Sequence, residues 1–381
     1  MRRDTAATAA LIGALCGIAL PSHAGAQAAA IGVGVQTYRF DEPETAGLET
    51  FQLVTAPWSA AVAPGRGVTL SLDGAFARGV ATGPGGERAS LSGPTDTELG
   101  VQVALGDWLV LGGGATLATG KSTLSTSESL VAGFVAAALL PLPINTWGSG
   151  RSYGGTVAVA TQVGAWGVGL AGGYRVAGAF DPLPGEALRY SPGDQLQMRV
   201  AVDRDVAGSS TLSLLFGYQL FADDRLVETN LFKSGSRIQT LVSLAFPIGL
   251  RASALVYGGV NHRARGTLLL DESALSGAGD SPSQQLFLAG TNLRVPLGRR
   301  ATLLPSGEMR VFRAEDGASQ GWVGSAATSL DLRVAGNSAG SRIVLSPSVG
   351  ALVGNVIVEE GAEAGFFGWQ AGLVLRVGSG R

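Results

Sequence analysis

The sequence predicts an all-β fold, namely a transmembrane antiparallel up-and-down β-barrel of about sixteen strands with short periplasmic turns and longer extracellular loops. Three observations predict it. Apolar and polar residues alternate along many segments, as they do on strands with one apolar and one polar face. These segments are longer than the roughly 5–6 residues usual in globular sheets. The connections between the segments are alternately short and long.

The composition favours the same fold. Charged residues make up 15% of the 381 residues, and 58 residues are glycine. Mean hydropathy is +0.28, which is high for a soluble protein. After residue 20, however, no run reaches the roughly 18 apolar residues that a membrane helix needs, and 130–144 is interrupted by Pro141 and Pro143. A barrel accommodates an apolar chain without such helices, because every other strand residue faces lipid.

The first 26 residues have the pattern of a secretory signal peptide. Arg2 and Arg3 form a positive start, 6–20 is apolar, and 24–26 supplies small residues before a cleavage site. A short core helix is the alternative interpretation. The expected organisation is therefore a signal peptide at 1–26 and a single outer-membrane barrel domain at 27–381.

The mature chain is expected to carry no disulfide and no thiolate metal site, because the one cysteine, Cys16, lies in the signal peptide. The formal net charge is −2, and no basic stripe is present to follow a phosphate backbone. We therefore expect no nucleic-acid partner.

Alternation is clearest in four segments, 196–203, 238–246, 330–334 and 369–377, in each of which apolar residues share one parity. Extending this pattern along the chain predicts sixteen strands, with fourteen as the alternative if one hairpin is lost. The predicted strands are 31–40, 50–60, 68–78, 96–105, 108–118, 152–162, 165–178, 194–204, 210–221, 236–246, 249–262, 284–296, 301–313, 322–334, 342–354 and 366–378. An even number places both termini on the periplasmic side.

Charge follows the sidedness of the connections. Short turns carry Arg66, Arg299 and Arg300, whereas the longer connections carry acidic residues. A solvated loop surface is the simpler interpretation, and divalent-cation bridging to anionic lipopolysaccharide is the alternative. The acidic residues are Glu42, Glu44, Asp181, Glu186, Asp223, Asp224, Asp271, Glu272, Glu315, Asp316, Glu359, Glu360 and Glu363.

Four tryptophans fall near predicted strand ends, where aromatic side chains favour the boundary between lipid and water. Trp108 and Trp166 follow short turns, and Trp322 and Trp369 follow long loops. They are candidate residues of two aromatic girdles.

The connection 119–151 differs from the others, because 129–140 is apolar and does not alternate. Ser125 and Glu128 have the spacing of a capping box, and Pro141 would end a helix. One interpretation is an apolar helix at the barrel mouth that acts as a lid or capture surface. The other is an extra hairpin or a loop packed into the lumen.

Charged residues on the polar parity of the strands are expected to face the lumen, since a basic residue facing lipid at the midplane costs about 2–4 kcal/mol. Their mixed signs favour a rigid charge network over a polar route. These lumen-facing candidates are Arg199, Asp203, Arg237, Glu308, Arg310, Asp331, Arg333 and Arg376.

Catalysis, a cofactor and a metal site are not expected. His262 is the only histidine outside the signal peptide, and no serine lies at a position from which it could be activated. The glycine pattern at 167–172 has dinucleotide-binding spacing, but it lies within an alternating strand and not before a helix.

Short motifs between residues 93 and 175 resemble those of the outer-membrane transporters for hydrophobic compounds, a group that includes the long-chain fatty-acid transporter family and the barrels of meta-pathway phenol degradation. The matching segments are 93–100, 118–121, 142–143, 148–150, 164–166 and 173–175. Ala118 stands where that group has proline, and the stretch from Lys121 to Gly148 is longer. The resemblance implies passive entry of an apolar molecule through a lateral opening.

The sequence thus predicts an outer-membrane channel for passive uptake of small hydrophobic compounds, in contact with membrane lipid and lipopolysaccharide. A general diffusion porin and a structural barrel without transport are the alternatives. An enzyme and a soluble periplasmic β-protein are disfavoured.

Overall fold

The computed structural model describes residues 27–137, 139–184, 189–206, 209–269, 281–336, 341–357 and 362–379. The predicted signal peptide lies outside the described residues. The described chain forms one 17-stranded antiparallel sheet and one four-stranded sheet.

The large sheet forms the wall of a sixteen-stranded barrel. It has 17 segments because one strand of the wall is interrupted, and its two parts pair one after the other with the same edge of β3. These two segments are called β4a and β4b. The strands are β1 (Gln27–Phe40), β2 (Thr50–Gly65), β3 (Val68–Thr82), β4a (Arg88–Pro94), β4b (Thr97–Leu105), β5 (Leu109–Leu117), β6 (Ser152–Val163), β7 (Trp166–Ala177), β8 (Gln195–Val206), β9 (Ser210–Phe221), β10 (Arg237–Ile248), β11 (Ala252–Arg263), β12 (Gln284–Pro296), β13 (Ala301–Ala314), β14 (Ser319–Ala335), β15 (Ser341–Ile357) and β16 (Glu363–Ser379).

The sheet closes on itself. Each strand pairs antiparallel with its neighbours in sequence, and β1 pairs with β16 over its whole length, from Gln27 opposite Ser379 to Phe40 opposite Phe366. Closure leaves no free edge at this seam. The prediction of a sixteen-stranded up-and-down barrel is confirmed, and the fourteen-stranded alternative is wrong.

The two faces of the wall differ in polarity, and cross-strand partners share a face. On β1 the side chains of Gln36 and Tyr38 are buried in the lumen, whereas Ile31 and Val33 point outward and are 60% and 52% exposed. Other exposed apolar residues on the outer face are Leu70, Phe76, Val101, Leu111, Val157, Leu170, Met198, Leu214, Val242, Val256, Phe287, Met309, Val349 and Leu373. They form an apolar belt of the kind that contacts the hydrocarbon of a bilayer.

The two ends of the barrel differ in their connections. At one end, called the turn end, strands are joined by short turns such as 66–67 and 164–165. Gly67 and Gly164 have φ of +75° and +63°, which tight turns require and other residues adopt at a cost. The opposite end, called the loop end, carries the longer connections, including 118–151.

Several predicted boundaries need correction. The predicted loop at 79–95 is largely strand, since β3 continues to Thr82 and β4a begins at Arg88. The loop predicted at 314–321 likewise shrinks to 315–318. In β4a the outward residues are arginine and serine, so the segment lacks the apolar parity that marks the other strands.

Small elements lie in the loop-end connections. Helix α1 is Pro43–Ala46 and helix α2 is Thr126–Ala136. A loop sheet joins three connections through the short strands Tyr190–Ser191, Asp223–Leu226, Thr229–Lys233 and Thr267–Leu268. The connection predicted as a loop at 222–235 is therefore partly strand. In the described parts of the chain, no helix has the length and apolarity needed to span a membrane.

Candidate functional site

A plug formed by residues 118–151 fills the loop end of the lumen. Five of its apolar residues, Val131, Val135, Leu139, Leu140 and Trp147, are at most 6% exposed. They belong to one cluster with inward residues of the wall, which are Tyr38, Phe40, Phe51, Leu53, Ala77, Ala81, Leu91, Val323, Leu352 and Phe366. Because buried apolar area drives association, this cluster holds the plug inside the barrel.

The predicted capping box and helix are present, since Ser125 caps α2 and its N–H donates to Glu128 at 3.0 Å. The two interpretations of 129–140 are thus both met in part, because the segment is largely helical and is also packed into the lumen. The predicted hairpin alternative is wrong. The α2 ring of Phe134 lies against Phe51, with 4.1 Å between ring centroids.

The plug approaches the wall closely where the wall has a glycine, which carries no side chain. The indole Nε1 of Trp147 donates to the carbonyl of Ala77 at 3.2 Å. A Cβ on the neighbouring Gly79 would lie 3.1 Å from the Trp147 ring. The ring therefore seats directly on the backbone of β3.

Both ends of the plug are tied to Asp96, in the break between β4a and β4b. One carboxylate oxygen accepts the N–H of Gly120 at 3.0 Å. The other accepts the N–H of Ser149 at 2.7 Å and its hydroxyl at 3.3 Å. Thr119 is held beside them by its hydroxyl, which donates to the Thr95 carbonyl at 3.0 Å. Charge-assisted hydrogen bonds of this kind are the strong ones.

This anchor unites three of the motifs that carry the family resemblance, namely those at 93–100, 118–121 and 148–150. The sequence reasoning did not single out Asp96. The signal that points to it is the Gly-Pro-Thr-Asp-Thr segment at 93–97 together with two glycine motifs, because Gly120 and Gly148 leave room for the backbones to meet.

The start of α2 carries an ionisable side chain, that of Glu128. The hydrogen bond from Lys121, followed by that from the Ser125 N–H, holds the pKa of Glu128 below its usual value. A carboxyl with a lowered pKa in the folded state stabilises that state above its unfolded pKa, about 4.3 for glutamate. The contribution is lost as pH falls through the lower, folded pKa.

Acidification below about pH 4 is therefore expected to fray the first turn of α2 in the wild-type protein. Amide exchange over 126–130, corrected for its intrinsic pH dependence, measures this. Glu128→Gln retains the capping geometry without the charge, so its protection should not change over the same range. Identical pH profiles for the two proteins would contradict this account.

An amphipathic cavity of about 300 Å³ lies between the plug and the wall formed by β10–β13, and is called the capture cavity. Its apolar lining comes from Val135, Leu140, Leu142, Ile144, Leu286 and Phe312. Its polar lining includes Arg237 and Arg263, which are cross-strand partners. Among the described residues, no carboxylate lies within ion-pair distance of either arginine.

A second volume of about 610 Å³, the wall cavity, lies along β3–β8. Asp73 and Glu98 are cross-strand partners in its lining. Arg175, whose charge is opposite to that of these two carboxylates, also lines the cavity. Its Nε donates to the Ser152 hydroxyl at 2.8 Å. The wall around them lacks bulk because it contains Gly100, Gly112, Gly113, Gly114, Gly154 and Gly155. The lumen is consequently polar and open beside the plug.

Two groups among the predicted lumen residues are brought together. Glu308 accepts hydrogen bonds from Arg310 and from Tyr257, each at 2.6 Å. Asp331 accepts from the Ser346 hydroxyl at 2.6 Å, and Arg376 lies 3.4 Å from it.

The other four predicted residues do not join these groups. Arg199 and Asp203 lie on the inner parity of β8, Arg237 lines the capture cavity, and Arg333 lies on β14 towards the turn end. Sequence reasoning missed Asp73, Glu98, Arg175, Tyr257 and Ser346. Each lies at an inward-facing position of its strand, so assigning inward and outward positions along every strand would have found them.

Of the four predicted girdle tryptophans, Trp108 and Trp166 lie at or beside strand ends on the turn side of the barrel. Trp322 lies near the loop end of β14, whereas Trp369 lies six residues inside β16 and so further from the loop end than predicted. Trp108, Trp166 and Trp369 are exposed. The guanidinium of Arg204 lies over the ring of Trp166 at 4.8 Å.

His262 is placed on the outer parity of β11, opposite Ile238 and Gln285. Its Nδ1 is buried and makes no hydrogen bond. Within the described ranges, no three histidine, cysteine, aspartate or glutamate side chains are grouped as metal ligands.

A closed antiparallel wall with an apolar outer belt and a polar, partly plugged lumen defines a transmembrane β-barrel. No known protein-family model matches the sequence, and no curated protein matches it.

Solved structures similar to this fold include barrels of the outer membrane. One is an anion-selective porin from Comamonas acidovorans (12% identity, 92% of this chain and 98% of that chain, TM-score 0.43). Another is OpdK of Pseudomonas aeruginosa with vanillate (12% identity, 93% and 98%, TM-score 0.46). A third is the TodX monoaromatic hydrocarbon channel (9% identity, 94% and 91%, TM-score 0.44). Identities this low carry no information on substrate.

Proposed function

We propose that this chain is an outer-membrane channel for the passive uptake of small hydrophobic compounds. The observation that carries the proposal is the capture cavity, where an apolar plug surface is held inside a membrane barrel. An apolar solute gains free energy by leaving water for such a lining, at roughly 25 cal/mol per Å² of area buried. A water-filled pore offers no comparable gain.

The membrane placement has its own support. The apolar belt and the predicted signal peptide at 1–26 favour export and insertion in the outer membrane, with the loop end outside the cell. The capture cavity then faces the medium, and the turn end faces the periplasm.

The arginine pair gives the capture cavity a polar side. Arg237 lies over the ring of Phe221, 5.1 Å from its centroid, and Arg263 donates to the Ser281 hydroxyl at 2.7 Å. Two guanidinium groups with no carboxylate partner among the described residues favour a permeant with a polar or acidic end and an apolar body. The apolar body would lie against Leu142 and Ile144.

The break between β4a and β4b is the proposed exit. Segment β4a pairs with β3 alone, while β5 continues the sheet only from β4b. In the described part of the chain, the second edge of β4a therefore has no strand partner, and α2 packs beside it. A solute released from the plug would leave sideways through this notch, at the level of the lipid headgroups.

Uptake into proteoliposomes tests the proposal. Leu142→Asn with Ile144→Asn makes the capture cavity polar, so uptake of an apolar fluorescent probe is expected to fall at least tenfold. Two apolar contacts worth about a kcal/mol or more each together exceed the roughly 1.4 kcal/mol that corresponds to a factor of ten. Leu130→Asn is the matched control, because Leu130 is on α2, 68% exposed, and outside the cavity. Equal uptake by all three proteins would refute a capture role.

Planar-bilayer conductance separates the alternatives. Large, stable steps from the wild-type protein would favour a general diffusion porin. Small or absent steps together with uptake of the apolar probe support the proposal. The Glu308 and Asp331 hydrogen-bond groups also suit a structural barrel, for which neither conductance nor uptake is expected.

A further inference from the structure

The outer face of the wall is polar at the loop end of β1–β4a, where four strands present three rows of outward side chains. The top row is Arg39, Thr50, Thr82 and Arg88; the second is Thr37, Gln52, Val80 and Ser90; the third is Val35, Val54, Arg78 and Ser92. Eight of these residues line a groove of about 460 Å³, called the rim groove, namely Thr37, Thr50, Gln52, Val54, Arg78, Val80, Thr82 and Arg88.

The charge of the rim groove is of one sign. Arg78 and Arg88 of the lining, and Arg39 beside it in the top row, are all exposed, and the groove lining contains no carboxylate. Among the described residues, none of the three arginines is in an ion pair. The groove therefore presents unneutralised guanidinium groups beside threonine and serine hydroxyls.

The rim groove borders the apolar belt directly. The next row towards the turn end is Ala56, Phe76 and Pro94, and Phe76 is 52% exposed. The third row already mixes Arg78 with Val35 and Val54, so the outer face turns from polar to apolar within two rows. Such a change is expected where lipid headgroups give way to hydrocarbon. Arginine facing lipid is penalised at the midplane and tolerated near this boundary.

From these observations we infer that the rim groove binds the phosphate groups of a lipid headgroup in the outer leaflet. Guanidinium groups bind phosphate through paired N–H donors, and the hydroxyls supply further hydrogen bonds. The acyl chains of the same lipid would run down over Phe76 and Ala56. A second copy of the chain fits less well, because a two-fold contact would oppose arginines to arginines.

This inference rests on the proposed membrane placement and not on the permeant, so uptake of apolar probes and lipid binding fail independently. The test compares R39Q/R78Q/R88Q with R251Q/R299Q/R300Q, which removes the same charge from turn-end positions. Binding of diphosphorylated lipid A to the refolded, detergent-solubilised barrels is measured by native mass spectrometry, with fully dephosphorylated lipid A and inorganic phosphate as further probes.

The wild-type protein and the turn-end variant are expected to bind the diphosphorylated lipid equally, and the rim variant at least tenfold more weakly. The affinity of the wild-type protein for dephosphorylated lipid A should be no higher than the affinity of the rim variant for diphosphorylated lipid A. Inorganic phosphate should compete only weakly, because it lacks the acyl contacts.

The inference would be overturned if the rim variant bound diphosphorylated lipid A as tightly as the wild type does. It would also be overturned if the wild type bound the phosphorylated and dephosphorylated lipids equally well. A wild-type dimer that the rim variant converts to monomer would overturn it too, since the groove would then be a protein contact. If the triple variant does not refold, R78Q and R88Q are measured singly, and each is expected to weaken binding several-fold.

Discussion

Asp96→Ala is expected to release both ends of the plug and to raise the conductance of a lumen that the plug partly blocks. The carboxylate accepts three hydrogen bonds, one from Gly120 and two from Ser149. Hydrogen bonds to charged groups contribute about 1.5–3 kcal/mol each, and they are not fully additive. A loss of about 3 kcal/mol in plug docking would raise the undocked population more than a hundredfold.

Single-channel conductance and limited proteolysis of the plug measure this effect. Asp107→Ala removes the same charge from an exposed turn-end position and should leave both unchanged. Asp96→Asn keeps an acceptor but loses the charge, so an intermediate effect is expected. If Asp96→Ala conducted and resisted protease like the wild type, the anchor would not hold the plug.

Trp147→Ala is expected to be the most damaging change within the plug itself. The ring is 1% exposed, donates to the Ala77 carbonyl and lies on Gly79. Truncating a buried large aromatic side chain costs about 3–5 kcal/mol, because contacts are lost and a cavity remains. The barrel strands keep their own hydrogen-bond ladders, so the cost falls on plug docking.

Hydrogen exchange separates these two parts of the molecule. Protection of 126–136 should fall sharply in Trp147→Ala, whereas protection of the wall strands should be retained. Trp108→Ala serves as the control, since Trp108 is 58% exposed in a turn. Global loss of protection would instead mean that plug and wall form one cooperative unit.

Gly79→Ala approaches the same contact from the wall. The added Cβ would press on the Trp147 ring and on Val131, so its effect should have the same sign and a smaller size. Agreement between the two variants would locate the effect at this contact and exclude a general loss of plug structure.

Local patterns determined most of the wall. Alternation of apolar and polar residues reports which residues face lipid, because the side-chain period of a strand is two. It therefore predicted sixteen strands and the inner parity of residues such as Glu308 and Asp331. It failed at β4a, where the outward positions carry Arg88, Ser90 and Ser92 and so show no apolar parity.

Helix α2 was likewise determined locally, since a capping box needs only Ser125 and Glu128 at the right spacing. Its location inside the lumen was decided by tertiary structure. Val131 and Val135 pack against Tyr38, Phe51 and other wall residues far away in sequence, and no local pattern records such contacts.

The sequence by itself thus determined a membrane barrel, its strand number and its capped apolar helix, because each follows from interactions between neighbours along the chain or from contact with solvent and lipid. The plug, its anchor at Asp96, the capture cavity and the rim groove were decided only by the closed wall. Closure sets the register of every strand against the next, and that register brings Asp96 to Gly120 and Ser149 and places Arg39 in the same row as Arg88.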